Sequence, residues 1–466
     1  MHANENQELK NPSSATPVIL GVVAEFNPFH KGHAYLIREA RIRSQAQTVI
    51  AAMSGNYVQR GLPAIVDKYT RAKMALLGGV DLVAEIPVLF ATASAEYFAD
   101  AGVQILKELG CTHIAFGVET EDTKLLQELA AFLAKEPGNY QLALKECLKN
   151  GHSYPSAREK ALIICMGRTP EEEGRIRDIL NGSNNILAIE YLKAIEKHHY
   201  DLIPVMIQRQ GNAFNDADAD GDYLSATALR AAICRQTRSE DPAQADTHTF
   251  FGNSSQEDLP LVKNIPSLSY PVLMETLNKA SFILPDDLMG ALTYALSKEQ
   301  DLTRYFDVSE DLANRIQKLP MIPRTYDALL DALECPNLAR SRISRALLHI
   351  LLDIRVADAE SMQEAGYLPY IRLLGKKKDL EDVGSYIKHA QVPVITRLAE
   401  AEQTICNFCD SAEDQPNTDT KKPLAKDFIL SLYERETFAN RLYAQIINQK
   451  AGTDVLNDFR KPFLSI

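Results

Sequence analysis

The sequence predicts an α/β protein, a doubly wound parallel sheet of the Rossmann-like kind followed by a mainly helical half. Short runs rich in Val and Ile recur through residues 18–208, each nearly continuous in apolar side chains, as strands covered on both faces are. Amphipathic patterns separate them, and strand–helix alternation of this kind builds a doubly wound sheet. From about residue 260 the pattern is nearly all helix.

Taken in order, residues 1–17 are polar, lack a charged-then-apolar leader, and read as a flexible lead-in. Strands are predicted over 18–26 (VILGVVAEF), 48–55 (TVIAAMSG), 81–90 (DLVAEIPVLF), 112–119 (THIAFGVE) and 201–208 (DLIPVMIQ). The helices HAYLIREARIRS, YTRAKMALLGG and SAEYFADAGVQILKELG alternate with them, and two close on Gly as C-caps do. Residues 122–200 read as mostly helical, with Ile186, Ile189, Leu192 and Ile195 at helical spacing. An acidic run, NDADADGDY, leads into the helix SATALRAAICRQ. The polar stretch that follows marks a linker, giving an α/β domain at 18–240, a linker at 241–259 and a helical domain at 260–466. The tract 411–424 reads as an exposed loop.

At 466 residues the chain exceeds one ordinary core, so more than one domain is expected. An apolar share of 45% with 24% charged residues fits a globular protein that needs no staple. No apolar run approaches the roughly 20 residues of a spanning helix, which predicts a cytoplasmic protein. Of seven cysteines only Cys406 and Cys409 form a CxxC pair, and no second ligand pair follows, so no metal centre is expected. The net charge of −12 opposes polyanions globally, so an RNA partner would have to find a local basic patch.

The strongest local signal is EFNPFHKGHAYLIREA at 25–40. A buried strand ends, the chain turns through Asn27 and Pro28, and a helix starts at about Gly32, with His30 and His33 spaced H-x-G-H. A helix start offers unpaired N–H groups and the positive end of the macrodipole. Two imidazoles there can donate to phosphoryl oxygens whose charge grows as the α-phosphorus is attacked. Isolated, the motif is as well read as a turn residue beside a helix cap. Its place after the first strand and at the first helix favours phosphate binding.

These residues resemble the signature of the HxGH nucleotidylyltransferases. More narrowly, MSGNYVQRGLPAIVDKYTRAKMALLGGVDLVAEIPVLFATASAEYFADAGVQILKELG, FGVE (116–119), SNNILAIEYLKAI (183–195), the Gln-Arg-Gln-Gly turn (208–211) and LSATALRAAI (224–233) resemble the tRNA(Met) cytidine acetate ligases, in the same order. SRISRALLHILL and YIRLLG extend the likeness more weakly into the helical half. The resemblance implies an enzyme that activates acetate with ATP as acetyl-adenylate, releasing pyrophosphate. It then acetylates the wobble cytidine of elongator tRNA(Met) to N-acetylcytidine. Mg²⁺ would accompany ATP, acetyl-CoA would not be used, and no protein partner or membrane is indicated.

Carried over by motif, the ATP site comprises Gly21, Val22, Val23, Ala24, Glu25, Phe26, Asn27, Pro28, Phe29, His30, Gly32 and His33, with His30, Lys31 and His33 catalytic. Gly117 would lie under the nucleotide, where a side chain would clash. Asn185, Arg209, Ser225, Thr227 and Arg230 complete the site. Asn184 or Asn185 is equally a plain N-cap, and Arg209 meets either phosphate or a nearby aspartate. Ser225, Thr227 and Arg230 stand where the superfamily places its second phosphate-binding helix start.

Ser54, Asn56, Gln59, Arg60, Lys68 and Arg71, beside Asp67, Lys73, Tyr57 and Tyr69, border the expected crevice and are candidates for acetate, pyrophosphate or RNA. In the helical half, Arg340, Arg342, Arg345, Arg355 and Lys376, Lys377 and Lys378 are the basic candidates for tRNA, with Arg342 and Arg345 preferred. The chain departs from the family in reading Leu224-Ser225-Ala226-Thr227 where a Ser-Ser pair is usual. It also has Phe214-Asn215-Asp216 where aromatic-His-Asp is usual, which weakens that loop as a source of acid or base. Asp216, Asp218, Asp220 and Asp222 are read as an exposed run, with Mg²⁺ binding the lesser alternative. A nucleotidylyltransferase acting on a small phosphorylated acceptor keeps the same fold and is the rival function; a non-catalytic RNA-binding protein is the second.

Overall fold

The computed structural model describes residues 17–466 except 168, 210–223, 239–259, 336–337, 367, 414–424 and 453–457. The linker, the acidic run, and residues 414–424 of the expected exposed loop lie outside the described residues; the first residues of that loop, 411–413, end a helix.

Five parallel strands form the centre of the sheet: β1 (Ile19–Ala24), β2 (Thr48–Ser54), β3 (Leu82–Ile86), β4 (His113–Val118) and β5 (Ile203–Gln208). Their order is β3-β2-β1-β4-β5, so the winding reverses between β1 and β4. Helices α1 (Lys31–Ser44) and α2 (Lys68–Leu77) cover one face, and α3 (Ala95–Glu108) with α4 (Ser183–Lys197) covers the other. Along β2, Val49, Ala51 and Met53 join the core under α1 and α2, while Ile50 and Ala52 join the core under α3. The alternation of a strand buried on both sides is thereby satisfied. Gly21 is needed on β1 because a Cβ there would meet Leu106 of α3 at 2.6 Å.

The third predicted strand stops at Ile86, and Pro87 opens a short helix, Val88–Ala91. Proline has no N–H for a sheet ladder and suits a helix start. After helix α5 (Ala226–Arg238) the second half is mainly helical, including α6 (Arg340–Leu352). It also returns to the sheet. Strand β6 (Ile371–Lys376) pairs antiparallel with β3, and both β7 (Val394–Ile395) and β8 (Leu464–Ser465) pair parallel with β6. Six residues of mixed apolar and basic type do not distinguish a strand from a helical turn by period alone.

The two halves are joined by buried polar contacts with α7 (Lys426–Ala451) and the chain's end. Asn56 Nδ2 donates to Asn440 at 2.9 Å, Tyr443 Oη to the Ala64 carbonyl at 2.7 Å, and Val88 N–H to Glu436 at 2.6 Å. Lys68 Nζ lies 2.7 Å from Glu85 and 2.9 Å from Asp458, and Arg372 is 2.7 Å from Asp458. Removing Lys68 from this buried set leaves two carboxylates, Glu85 and Asp458, to share the one guanidinium of Arg372. Lys68→Met is expected to lower stability by about 3 kcal/mol, read from denaturant unfolding, while Lys378→Met, at an exposed position, leaves the midpoint unchanged.

Candidate active site

A cavity of about 590 Å³ opens at the carboxyl ends of β1, β4 and β5, where the winding reverses. Crevices of this kind hold ligands in open α/β sheets. Its floor is the strand ends Val22–Ala24, Ala115–Gly117 and Ile207–Arg209. A Cβ on Gly117 would meet Leu36 at 3.6 Å and the Ile207 carbonyl at 4.0 Å, which is ordinary contact, so protein packing does not require glycine here.

The HxGH turn forms one wall. The His30 imidazole folds back and its Nδ1 accepts from Gly32 N–H at 3.0 Å, while His33 Nδ1 accepts from His30 N–H at 3.2 Å. This is a reciprocal capping box built from two histidines. A Cβ on Gly32 would come within 2.9 Å of the His30 ring. The rings stack with centroids 3.7 Å apart, and Phe26 packs edge-on against His33. With both Nδ1 atoms accepting, each neutral ring carries its proton on Nε2. Burial, with Arg209 and Arg230 nearby, holds the His30 pKa down to about 3; burial beside His30 keeps His33 well below the usual range. The site thus presents two neutral N–H donors at a helix start.

Arginines supply the charge. Arg230 donates to the Asn27 carbonyl at 2.8 Å and to Thr227 Oγ1 at 3.1 Å, so the start of α5 is tied to the HxGH turn. Arg209 lies at the end of β5, 3.9 Å from Glu119. Gln59 and Arg60 enter from the loop after β2, and Ser341 from the first turn of α6.

Other expected residues lie elsewhere. Pro28, Phe29 and Lys31 do not line the cavity; Phe29 is buried beneath the turn and Asn27–Pro28 is a cis peptide. Gly21 serves helix packing. Asn185 is buried and its Oδ1 accepts from Glu119 N–H at 2.8 Å and Thr120 N–H at 3.2 Å, so it secures the strand end while Asn184 faces the cavity. Ser225 caps α5 by accepting from Ala228 N–H.

Lys68 and Arg71 are corrections: both are fully buried, because each has interior partners. Arg71 donates to the carbonyls of Val66 (3.1 Å), Glu25 (2.7 Å), Ser54 (3.0 Å) and Gly55, fixing the ends of β1 and β2. Ser54 and Asn56 are likewise interior. Arg345 is buried against Asp307 at 2.9 Å, and Arg342, half-buried, does not line the cavity. Arg340 is engaged by Asp327 and Asp331, Arg355 by Asp353, and Lys377 by Asp81. Lys376 donates to the Leu380 carbonyl, and Lys378 is exposed. Sequence reasoning missed Ser183, whose buried hydroxyl has no hydrogen-bond partner, and the apolar wall of Leu36, Ile186, Leu187 and Tyr191. Its signal was the polar start of the helix at 183. Among the described residues no three His, Cys, Asp or Glu side chains form a metal cluster, and no helix is long and apolar enough to cross a membrane.

Nitrogen NMR of labelled histidine is expected to show His30 and His33 as Nε2–H tautomers that do not titrate between about pH 5 and 8. Unfolded histidines take up protons near 6.5 and folded His30 only near 3, so stability falls as pH drops through that window.

The chain is similar over most of its length to known proteins. The model of the HIGH Nucleotidyl Transferase family matches residues 18–454. The tRNA(Met) cytidine acetate ligase of Acetivibrio thermocellus is 35% identical over 387 residues, covering 82% of this chain and 88% of that protein. That of Caldanaerobacter subterraneus subsp. tengcongensis is 35% identical over 418 residues, covering 88% and 96%. Two crystal structures of Thermotoga maritima TmcAL, apo and bound with alpha-thio ATP, superpose with TM-scores of 0.82 and 0.79 at 28% identity, each covering 96% of this chain and 99% of that one. Fold and sequence converge: the chain belongs to the tRNA(Met) cytidine acetate ligases, within the HIGH nucleotidyl transferase family.

Proposed function

We propose that this ligase binds ATP in the cavity at the β1–β4 crevice, activates acetate as acetyl-adenylate, and acetylates the wobble cytidine of elongator tRNA(Met). The observation that carries the reading is the double-histidine cap, two neutral Nε2–H donors at a helix start flanked by Arg209 and Arg230. The adenine lies against Leu36, Ile186, Leu187 and Tyr191, and the ribose passes over Gly117, where no side chain intervenes. The phosphates reach the starts of α1 and α5.

Acetate oxygen attacks the α-phosphorus, pyrophosphate leaves, and the imidazole and guanidinium donors stabilise the growing negative charge. Neutral imidazoles need no proton rearrangement as that charge develops. Mg²⁺ would enter with the triphosphate and supply neutralising charge to its oxygens. Gln59, Arg60 and Ser341 form the rim through which the cytidine enters.

Purified protein given ATP, labelled acetate and bacterial tRNA is expected to form N-acetylcytidine without acetyl-CoA. His33→Ala should lower acetate-dependent ATP–pyrophosphate exchange by roughly 10²-fold or more. ATP turnover without labelled tRNA would instead point to a different acceptor. Gly117→Ala, whose Cβ makes only ordinary contacts within the protein but projects from the cavity floor, should raise the KM for ATP about 10-fold or more through overpacking against the ligand, with an unchanged unfolding midpoint.

A further inference from the structure

We infer that Glu25 is the catalytic base that takes the proton from the cytidine amine during acetyl transfer, an assignment that rests on the ligase reading above. The exocyclic nitrogen of cytosine is a poor base whose lone pair is drawn into the ring. Its N–H becomes acidic only as the nitrogen bonds to the acyl carbon, and the proton then needs an acceptor within the site.

The cavity wall offers few. His30 and His33 have their Nδ1 lone pairs occupied by Gly32 and His30 N–H groups, and their Nε2 atoms are donors. Arg60, Arg209 and Arg230 have no lone pair to offer, and burial beside Glu25 pushes the Tyr191 phenol up, keeping it protonated. Glu25 is the one carboxylate in the described lining.

Its placement suits the role. It follows β1 directly, leads into the HxGH turn, and lines the same cavity as Gln59 and Arg60. Its main-chain oxygen accepts from Arg71 at 2.7 Å, and its Oε1 accepts from Gln59 N–H at 3.0 Å. The residue is thereby held at its main chain and at one carboxylate oxygen, and Oε2 makes no hydrogen bond among the described residues. Adenylate on the phosphate side and cytidine at the rim would meet over this oxygen. The step balances: the C–N bond forms, the acyl C–O bond breaks with its electron pair on AMP, and the N–H proton passes to Oε2.

Glu25→Gln tests it, because the amide oxygen still accepts from Gln59 N–H while its basicity is lost. Acetate-dependent ATP–pyrophosphate exchange reports adenylate formation, and labelled acetate in tRNA reports transfer. The expected result is a ratio of transfer to exchange about 100-fold or more below wild type, partly recovered in Glu25→Asp. A Glu25→Gln enzyme with the wild-type ratio, whether both rates are retained or both fall together, would overturn the assignment. Wild-type protein with no acetate-dependent exchange would overturn the ligase reading itself, and the role of Glu25 with it.

Discussion

The reciprocal cap made by His30 and His33 is the constraint from which the rest of the site follows. A helix start must find acceptors for its first N–H groups, and serine, threonine or aspartate usually provide them. Here two imidazoles do so with Nδ1, which fixes both tautomers and leaves Nε2–H on each as the donor at the cavity wall. Ring stacking at 3.7 Å and burial make a charged form costly, so the pair remains neutral. Gly32 is required by the fold-back of His30, and Phe29 fills the position that a side chain on Gly78 would occupy. Arg230, bonded to the Asn27 carbonyl, and Arg71, bonded to the Glu25 carbonyl, brace the turn at two points.

That bracing explains why so many charged groups lie in the interior. Lys68, Glu85, Arg372 and Asp458 cost desolvation energy, and a buried ion set of this kind contributes less to stability than to geometry. Arg372 comes from β6 and Asp458 from the end of the chain, so the network forms only when the second half has docked on the sheet. Ser341 then reaches the cavity rim on α6. The helical half is therefore part of the site's construction, and the rim is shared between the two halves.

The parallel strands and the HxGH turn were legible in the sequence because both depend on local pattern. A run such as TVIAAMSG has one stable use, and a pair of histidines around Gly at a strand-to-helix turn has few. Direction was not legible. In SGNYVQRGLPAIVDKYTRAKM the polar side chains of Gln59, Arg60, Lys68 and Arg71 look equally available, yet only the first two line the cavity. Lys68 and Arg71 sit in the first turn and a half of a helix whose partners, Glu85, Asp458 and the strand-end carbonyls, are contributed by distant segments. Arg345 was unreadable for the same reason, since Asp307 lies 38 residues away. Strand β6 was hidden because its neighbour, β3, is hundreds of residues upstream.

A chain of net charge −12 that handles polyanions must confine its positive potential. The basic runs that looked suited to RNA are largely compensated at short range: Arg340 faces two aspartates, Arg355 faces Asp353, and Lys377 faces Asp81. Among the described residues, the cavity gathers Arg60, Arg209 and Arg230 with one carboxylate and two neutral donors. Walls of low dielectric focus that charge toward the opening, so attraction for an anion is strongest at the cavity. An anion drawn in under these conditions gains specificity from position more than from total charge. The same logic favours imidazole over lysine at the helix start: a neutral donor adds hydrogen bonds without repelling the neighbouring guanidinium groups, which lets three arginines share one small space.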